Sequence, residues 1–178
     1  MNRRDEDAFT EFAAAARPQL RGTAYLLCGD WHQASDHVQE GLIRVYVAWP
    51  RLRRQGSELN YARRCVVSAF LDSRRKRSSR ELPTDDHERR DAHPDLADEV
   101  VTRESLMRAL ARLPERQRAC VVLRYFDDLS VAETAAALGC SEGNVKSQTS
   151  RAIDSLRSMF AGTSLGELLT ISGRTGSW

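Results

Sequence analysis

One stretch governs what this chain can become. Between Ser78 and Val101 the residues Glu81, Asp85, Asp86, Glu88, Asp91, Asp95, Asp98 and Glu99 dominate, Pro83 and Pro94 interrupt, and apolar residues are almost absent. Such a segment cannot bury a core and reads as a flexible acidic linker over residues 78–101. It divides the 178 residues into two short pieces, each large enough for only a modest core. Both pieces are rich in Ala, Leu, Arg and Glu at helical spacing and lack alternating Val/Ile/Thr runs. The expected fold class is therefore all-α, with two small helical domains joined by the linker.

The C-terminal piece, residues 102–160, carries the clearest local pattern. A first helix over 101–112 (Val101, Leu106, Ala109, Leu110) leads to Leu113-Pro114-Glu115-Arg116-Gln117-Arg118 and the apolar run Ala119–Leu123. Pro114 suits a first helical position, Ser130 and Ser141 suit N-caps, and Glu133 completes a capping box with Ser130. Gly139-Cys140-Ser141 separates two periodic segments, which is the helix-turn-helix pattern. In the last segment Val145, Thr149, Ala152, Ile153, Leu156 and Phe160 share one stripe and are expected to be buried. Asn144, Lys146, Ser147, Ser150 and Arg151 point the other way, with Gln148 on the shoulder. That face can donate to phosphates and base edges in a major groove, the alternative being a solvated helix of an ordinary bundle.

The N-terminal piece, residues 1–77, predicts a helix over 8–28 with a break or kink at Pro18, a turn at Gly29-Asp30, and a second helix from Trp31 or His32 to Trp49, ended by Pro50. Asp36, Gln39, Glu40 and Arg44 occupy the polar face of that second helix. The chain then turns basic. Arg51, Arg53, Arg54, Arg63, Arg64, Arg74, Arg75, Lys76, Arg77 and Arg80 face only Glu58 and Asp72, a phosphate-binding footprint on a helix over 59–77. Tyr61 adds a ring able to stack on an unpaired base. The formal net charge of +2 hides this segregation of basic helix from acidic linker.

Other function classes find little support. No Gly-rich phosphate loop and no Ser/His/Asp arrangement is present, so no catalysis is expected. Cys28, His32 and His37 lie close in sequence without a fourth metal ligand, and ordinary packing is the better reading. Cys28, Cys65, Cys120 and Cys140 form no C-x-x-C pair, as befits a reducing compartment, and the last three are expected to pack as small hydrophobes. With no signal-peptide pattern behind Arg3-Arg4 and no span of about 20 apolar residues, a cytoplasmic location without membrane insertion is expected. The tail, residues 161–178, carries Leu165, Leu168, Leu169 and Ile171, which either pack back or form a small partner site.

Leu113-Pro114-Glu115-Arg116-Gln117, the Tyr125–Ser130 segment and Ser141-Glu142-Gly143-Asn144-Val145-Lys146-Ser147 resemble the fourth conserved region of bacterial sigma factors, of the extracytoplasmic-function (ECF) type. In that family this module contacts the "minus 35" promoter element, a role the resemblance extends to Asn144, Lys146, Ser147, Gln148, Ser150 and Arg151. Gln148-Thr149 departs from the family's more usual basic or aromatic residue followed by Leu. The run from Asp36 to Trp49 is similar to the second conserved region, whose polar face docks on the polymerase's largest subunit. This implies polymerase contacts by Asp36, Gln39, Glu40 and Arg44, with Ser35 standing where a second acidic residue is usual.

The run from Tyr61 to Arg75 looks like the family's "minus 10" helix, implying DNA contacts by Tyr61, Arg63, Arg64, Ser68, Asp72, Arg74 and Arg75. Ser68 replaces the usual Asn. The resemblance implies core RNA polymerase, promoter DNA and an anti-sigma factor as partners, no cofactor and no enzymatic activity. Roughly 24 linker residues extend to about 80 Å, enough to join elements roughly 60 Å apart on a duplex. The competing expectation is a stand-alone helix-turn-helix regulator with a helical interaction domain.

Overall fold

The computed structural model describes residues 3–52, 57–80 and 102–163. Most of the linker, Arg53 and Arg54 of the basic segment, and most of the tail (residues 164–178, with its four apolar residues) lie outside the described residues.

The first unit is three long helices: α1 (Arg3–Cys28), α2 (Trp31–Leu52) and α3 (Glu58–Arg80). Ala13, Ala16, Leu20 and Ala24 of α1 meet Val38, Leu42, Val45 and Trp49 of α2 and Ala62 and Val66 of α3. Phe9 and Phe12 close one end around Trp49, with ring centroids 5.4 and 5.1 Å away. Gly41 is where α2 and α3 come closest. A Cβ there would lie 2.7 Å from Val66 Cγ2 and 3.1 Å from the Val66 backbone nitrogen, so only glycine allows this approach.

Two expected helix breaks are not seen in this unit. Pro18 lies inside a continuous α1, and Pro50 lies inside α2, which reaches Leu52. Both prolines are exposed. The carbonyls they orphan four residues back belong to Ala14 and Tyr46, also exposed residues, where water can satisfy them. Burial of Leu20 beyond Pro18, and of Trp49 and Leu52 around Pro50, then holds the helix together. α3 likewise runs to Arg80, past the expected boundary at residue 77.

The second unit comprises α4 (Arg103–Arg112), α5 (Glu115–Val121) with a wider π-helical turn over Val122–Phe126, α6 (Val131–Leu138) and α7 (Glu142–Met159). Leu110 and Leu113 pack with Val121 against Ala152, Ile153, Leu156 and Phe160. Starts are fixed chemically. Thr102 and Ser105 form a capping box on α4, Ser130 and Glu133 form one on α6, and Ser141 Oγ accepts from the Asn144 backbone N–H on α7. Pro114 stands one position earlier than expected, just before α5. Gly139, at φ 61°, ends α6 in the left-handed conformation and sets the turn into α7.

The two units share a core. Leu27 of α1 and Val67 and Phe70 of α3 are buried with Ala119, Val122, Leu123 and Leu129 of the second unit. Through this contact the buried guanidinium of Arg118 donates to Leu27 O (2.5 Å), Ala111 O (2.8 Å) and Leu113 O (3.1 Å). It supplies the cation that the last turn of α1 otherwise lacks. Its guanidinium carbon also lies 5.9 Å from the centre of the Phe70 ring. A second junction joins the units where Arg103 of α4 approaches the stacked rings of Tyr25 and Trp31, which are 4.0 Å apart.

Candidate nucleic-acid interface

α7 presents the face its sequence promised. Val145, Ala152, Ile153 and Leu156 are buried, while Asn144, Lys146, Ser147, Ser150 and Arg151 are exposed and Gln148 and Thr149 are intermediate. The Ser141 cap and the Gly139 turn hold the first turn of α7 outward, so that backbone and side-chain donors face solvent together.

α3 is different, because it is covered on two sides. Ala62, Cys65 and Val66 are buried on the side toward the first unit's core, whereas Val67 and Phe70 face the second unit. Asn60, Arg63, Val67, Phe70 and Arg74 recur at helical spacing and form the side that meets the second unit. Arg63 therefore departs from its expected place on a DNA-facing surface. It is only 7% exposed; one terminal nitrogen donates to Asn60 Oδ1 at 3.1 Å, and its Nε lies 3.8 Å from Asp127 Oδ2. Asp127 arrives from the end of the π turn, where its N–H bonds to Val122 O. Thr23 Oγ1 of α1 lies 2.9 and 3.0 Å from its two carboxylate oxygens. Burial raises the Asp127 pKa above the ordinary carboxylate value, against the opposing pull of Thr23 and Arg63. On α6, Ser130 foremost, then Asn60 and Arg63, hold the Glu133 carboxyl below its usual range.

The other expected α3 residues divide. Arg64, Arg74 and Arg75 are exposed; Tyr61 is half-buried against the first core. Arg74 Nε pairs with Glu115 of α5 at 3.2 Å. Ser68 and Asp72 are held in a local network: Arg44 reaches from α2 to Ser68 Oγ (3.2 Å) and Asp72 (3.5 Å), and Arg75 pairs with Asp72 at 2.5 Å. Arg44 also pairs with Glu40 at 2.5 Å. Arg44 thus ties α2 to α3 instead of standing clear on the outer face.

That outer face of α2 retains Asp36, Gln39 and Glu40, all exposed. Sequence reasoning missed two of its members. Ile43 is 58% exposed and Val47 77% exposed, and with Asp36 and Glu40 they continue one stripe at i, i+4, i+7 and i+11. The available signal was two β-branched apolar residues on the polar side of an amphipathic helix, which marks a contact surface once they are seen uncovered.

Among the described residues no group of three His, Cys, Asp or Glu side chains could hold a metal. Cys28 Sγ donates to Asp30 O at 3.1 Å and His37 is buried. Cys65 and Cys120 are buried, and burial pushes the Cys120 thiol up to about 11; Cys140 is only partly covered. No helix of the described residues is long and apolar enough to cross a membrane.

Comparison with known families fits this anatomy. The "Sigma-70 region 2" model matches residues 12–80, and the "Sigma-70, region 4" model matches residues 103–156. The RNA polymerase sigma-E factor of Streptomyces avermitilis is 35% identical over 150 residues, covering 84% of this chain and 83% of that protein. The chain belongs to the ECF sigma factors. The ECF sigma factor SigM of Mycobacterium tuberculosis is 34% identical over 150 residues, covering 83% of this chain and 74% of the relative. Among solved structures, the sigma factor RpoE of Bartonella quintana, crystallised with the anti-sigma factor NepR, shares the fold at a TM-score of 0.68 and 22% identity, over 85% of this chain and 96% of that one. In this sigma factor the region 2 match is the α1–α3 unit and the region 4 match is the α4–α7 unit.

Proposed function

We propose that this alternative sigma factor works without catalysis, in the cytoplasm, by carrying three contact faces to core RNA polymerase and promoter DNA. α7 reads the upstream element in the major groove with Asn144, Lys146, Ser147, Gln148, Ser150 and Arg151. α3 meets the downstream element with Tyr61, Arg64, Arg74 and Arg75, while Ser68 and Asp72, fixed by Arg44, shape the surface between them. The outer face of α2, Asp36, Gln39 and Glu40 with Ile43 and Val47, docks on the polymerase. Domain limits follow the helices: 3–80, an acidic tether to 101, and 102–163. An anti-sigma factor is a further partner, as for the Bartonella relative.

The observation that carries this reading is the exposed polar face of α7 behind its capped turn, joined in one chain to an arginine-rich α3. Reading both promoter elements at once requires a separation of roughly 60 Å. The units that touch through Val67, Phe70, Val122 and Leu123 must therefore come apart during initiation. Arg63 joins the DNA-facing set when they do.

The test is direct. Asp36→Arg with Glu40→Arg should abolish co-purification with core polymerase while leaving helix content unchanged; unaltered core binding removes the α2 face from the proposal. A wild-type chain that binds DNA alone and ignores core polymerase would instead be a stand-alone regulator.

A further inference from the structure

A cleft of about 570 Å³ runs between the two units. One wall is α3, with Arg64, Leu71, Arg74 and Arg75. The other is the start of α5, with Glu115 and Arg116, and the end of α6 at Leu138. The volume lies in the range of small-molecule sites and is far too narrow for a duplex. Its charges are partly answered from within: Arg74 by Glu115 at 3.2 Å, and Arg75 by Asp72 at 2.5 Å. Arg64 and Arg116, one on each wall, make no hydrogen bond or ion pair among the described residues. Two guanidinium groups that no described residue answers, facing a shared space, suit an anion of about two charges, and phosphate oxygens match the guanidinium fork. Leu71, Ala137 and Leu138 add apolar lining able to cover a flat ring.

We propose that this cleft binds a nucleoside diphosphate, its phosphates between Arg64 and Arg116 and its base against Leu71 and Leu138. Because the walls belong to different units, such a ligand binds the packed arrangement and disfavours the separated one. Its effect on transcription rests on the function proposed above; its binding does not. The ligand also covers Arg64, so it competes with the downstream promoter element for that side chain.

Calorimetric titration of the free full-length chain at about 0.15 M salt, where diffuse surface attraction is screened, separates the possibilities. The probes are ADP, adenosine and inorganic pyrophosphate. ADP should bind one to one, and Arg116→Ala and Arg64→Ala should each weaken it at least about tenfold without lowering the melting temperature. Hydrogen exchange of α3 and α6 amides should slow when ADP is added. No saturable ADP binding, or equal binding by the Arg64→Ala/Arg116→Ala double variant, overturns the site. Pyrophosphate binding as tightly as ADP overturns the nucleoside class. Run-off transcription then tests the consequence: ADP should reduce product with the wild-type chain and not with Arg116→Ala. ADP that binds yet leaves both exchange and transcription unchanged refutes the bridging role. Loss of core-polymerase binding in the α2 variant bears only on the assignment of function.

Discussion

α3 and α7 are both candidate DNA-reading helices, yet the fold treats them oppositely. α7 buries one stripe, so its far side is committed to solvent from the start. α3 buries residues on two sides, Val66 toward α2 and Val67 and Phe70 toward the second unit, and its arginines sort accordingly. Arg64 and Arg75 stay outside, Arg74 makes an ion pair across the contact, and Arg63 is drawn into it beside Asp127. A density of arginine is therefore not yet a surface. Which arginines can meet DNA depends on what else the helix must cover, and in α3 that cover belongs to the very unit that carries α7.

The sharpest way to break the comparison is through Arg118, which has no counterpart near the exposed face of α7. Replacing it with Met leaves the buried carbonyls of Leu27 and Leu113 without their donor, while that of Ala111, an exposed residue, can turn to water. Each unsatisfied buried group costs about 1–3 kcal/mol, so the variant should lose at least about 2 kcal/mol in chemical denaturation. A loss below about 1 kcal/mol would mean that the junction of α1, α4 and α5 does not depend on this cation.

Asp127→Ala makes a smaller, more selective change. It removes the partner of Thr23 and Arg63 at the unit contact, leaving the cores of both units intact. The expected weakening is about 1–3 kcal/mol, from one buried group left without its partner. Amide exchange should quicken along α3 and α6 and stay unchanged in the middle of α7. Affinity for single-stranded downstream-element DNA should rise as Arg63 is released. Unchanged exchange in α3 would show that the apolar contact alone holds the units together.

On the α7 side, single alanines at Asn144, Lys146, Gln148 and Arg151 sharpen the contrast between base and phosphate contacts. Loss of a bidentate base contact should cost about 1–3 kcal/mol and relax selectivity at one base pair. Loss of a phosphate contact should weaken all sequences alike and flatten the salt dependence. A promoter-variant panel reads both, and four silent substitutions would disqualify α7 as the reader.

Much of this was legible in the residues, because local chemistry decided it. Ser130 with Glu133, Ser141, Gly139 and the stripe from Val145 to Phe160 each act within a few positions of themselves, and the structure places them as their spacing implied, except that Thr149 at the edge of the stripe is only half-buried. What escaped was decided at a distance. Pro18 and Pro50 read as breaks because propensity ignores the buried Leu20, Trp49 and Leu52 that hold the helices through them. Arg63 and Arg64 are neighbours of one type, and only the position of Asp127, 64 residues after Arg63, tells them apart. The shared core did leave a trace: α3 carries apolar residues on two faces, as a helix covered on both sides does. The exposed Ile43 and Val47 left another, on the face of α2 that the acidic residues alone had marked.

The smallest expected effect separates the first unit from the contact by pH. His37 is buried under the outer face of α2, with the Phe70 ring 6.0 Å from its own. Burial lowers its pKa from 6.5, against Glu40 and Asp36, which raise it, and with Arg77, which lowers it further. The folded chain thus binds this proton less readily than the unfolded one. The stability it contributes is complete above pH 6.5 and is lost as pH falls below that value toward the lower folded one. A single group of this kind gives a slope of at most about 1.4 kcal/mol per pH unit. At the unit contact the acids act lower on the scale and disagree in sign. Asp127, raised by burial, favours the packed state as pH falls through the carboxylate range. Glu115 is held low despite burial, by its own backbone N–H and by Arg74, and favours that state less. Between pH 6.5 and about 5.5 the slope should therefore belong to His37. Denaturation of His37→Gln across that interval should be flat where the wild-type chain declines, and a slope that survives the substitution would place the pH dependence in the contact between the units instead of at His37 of α2.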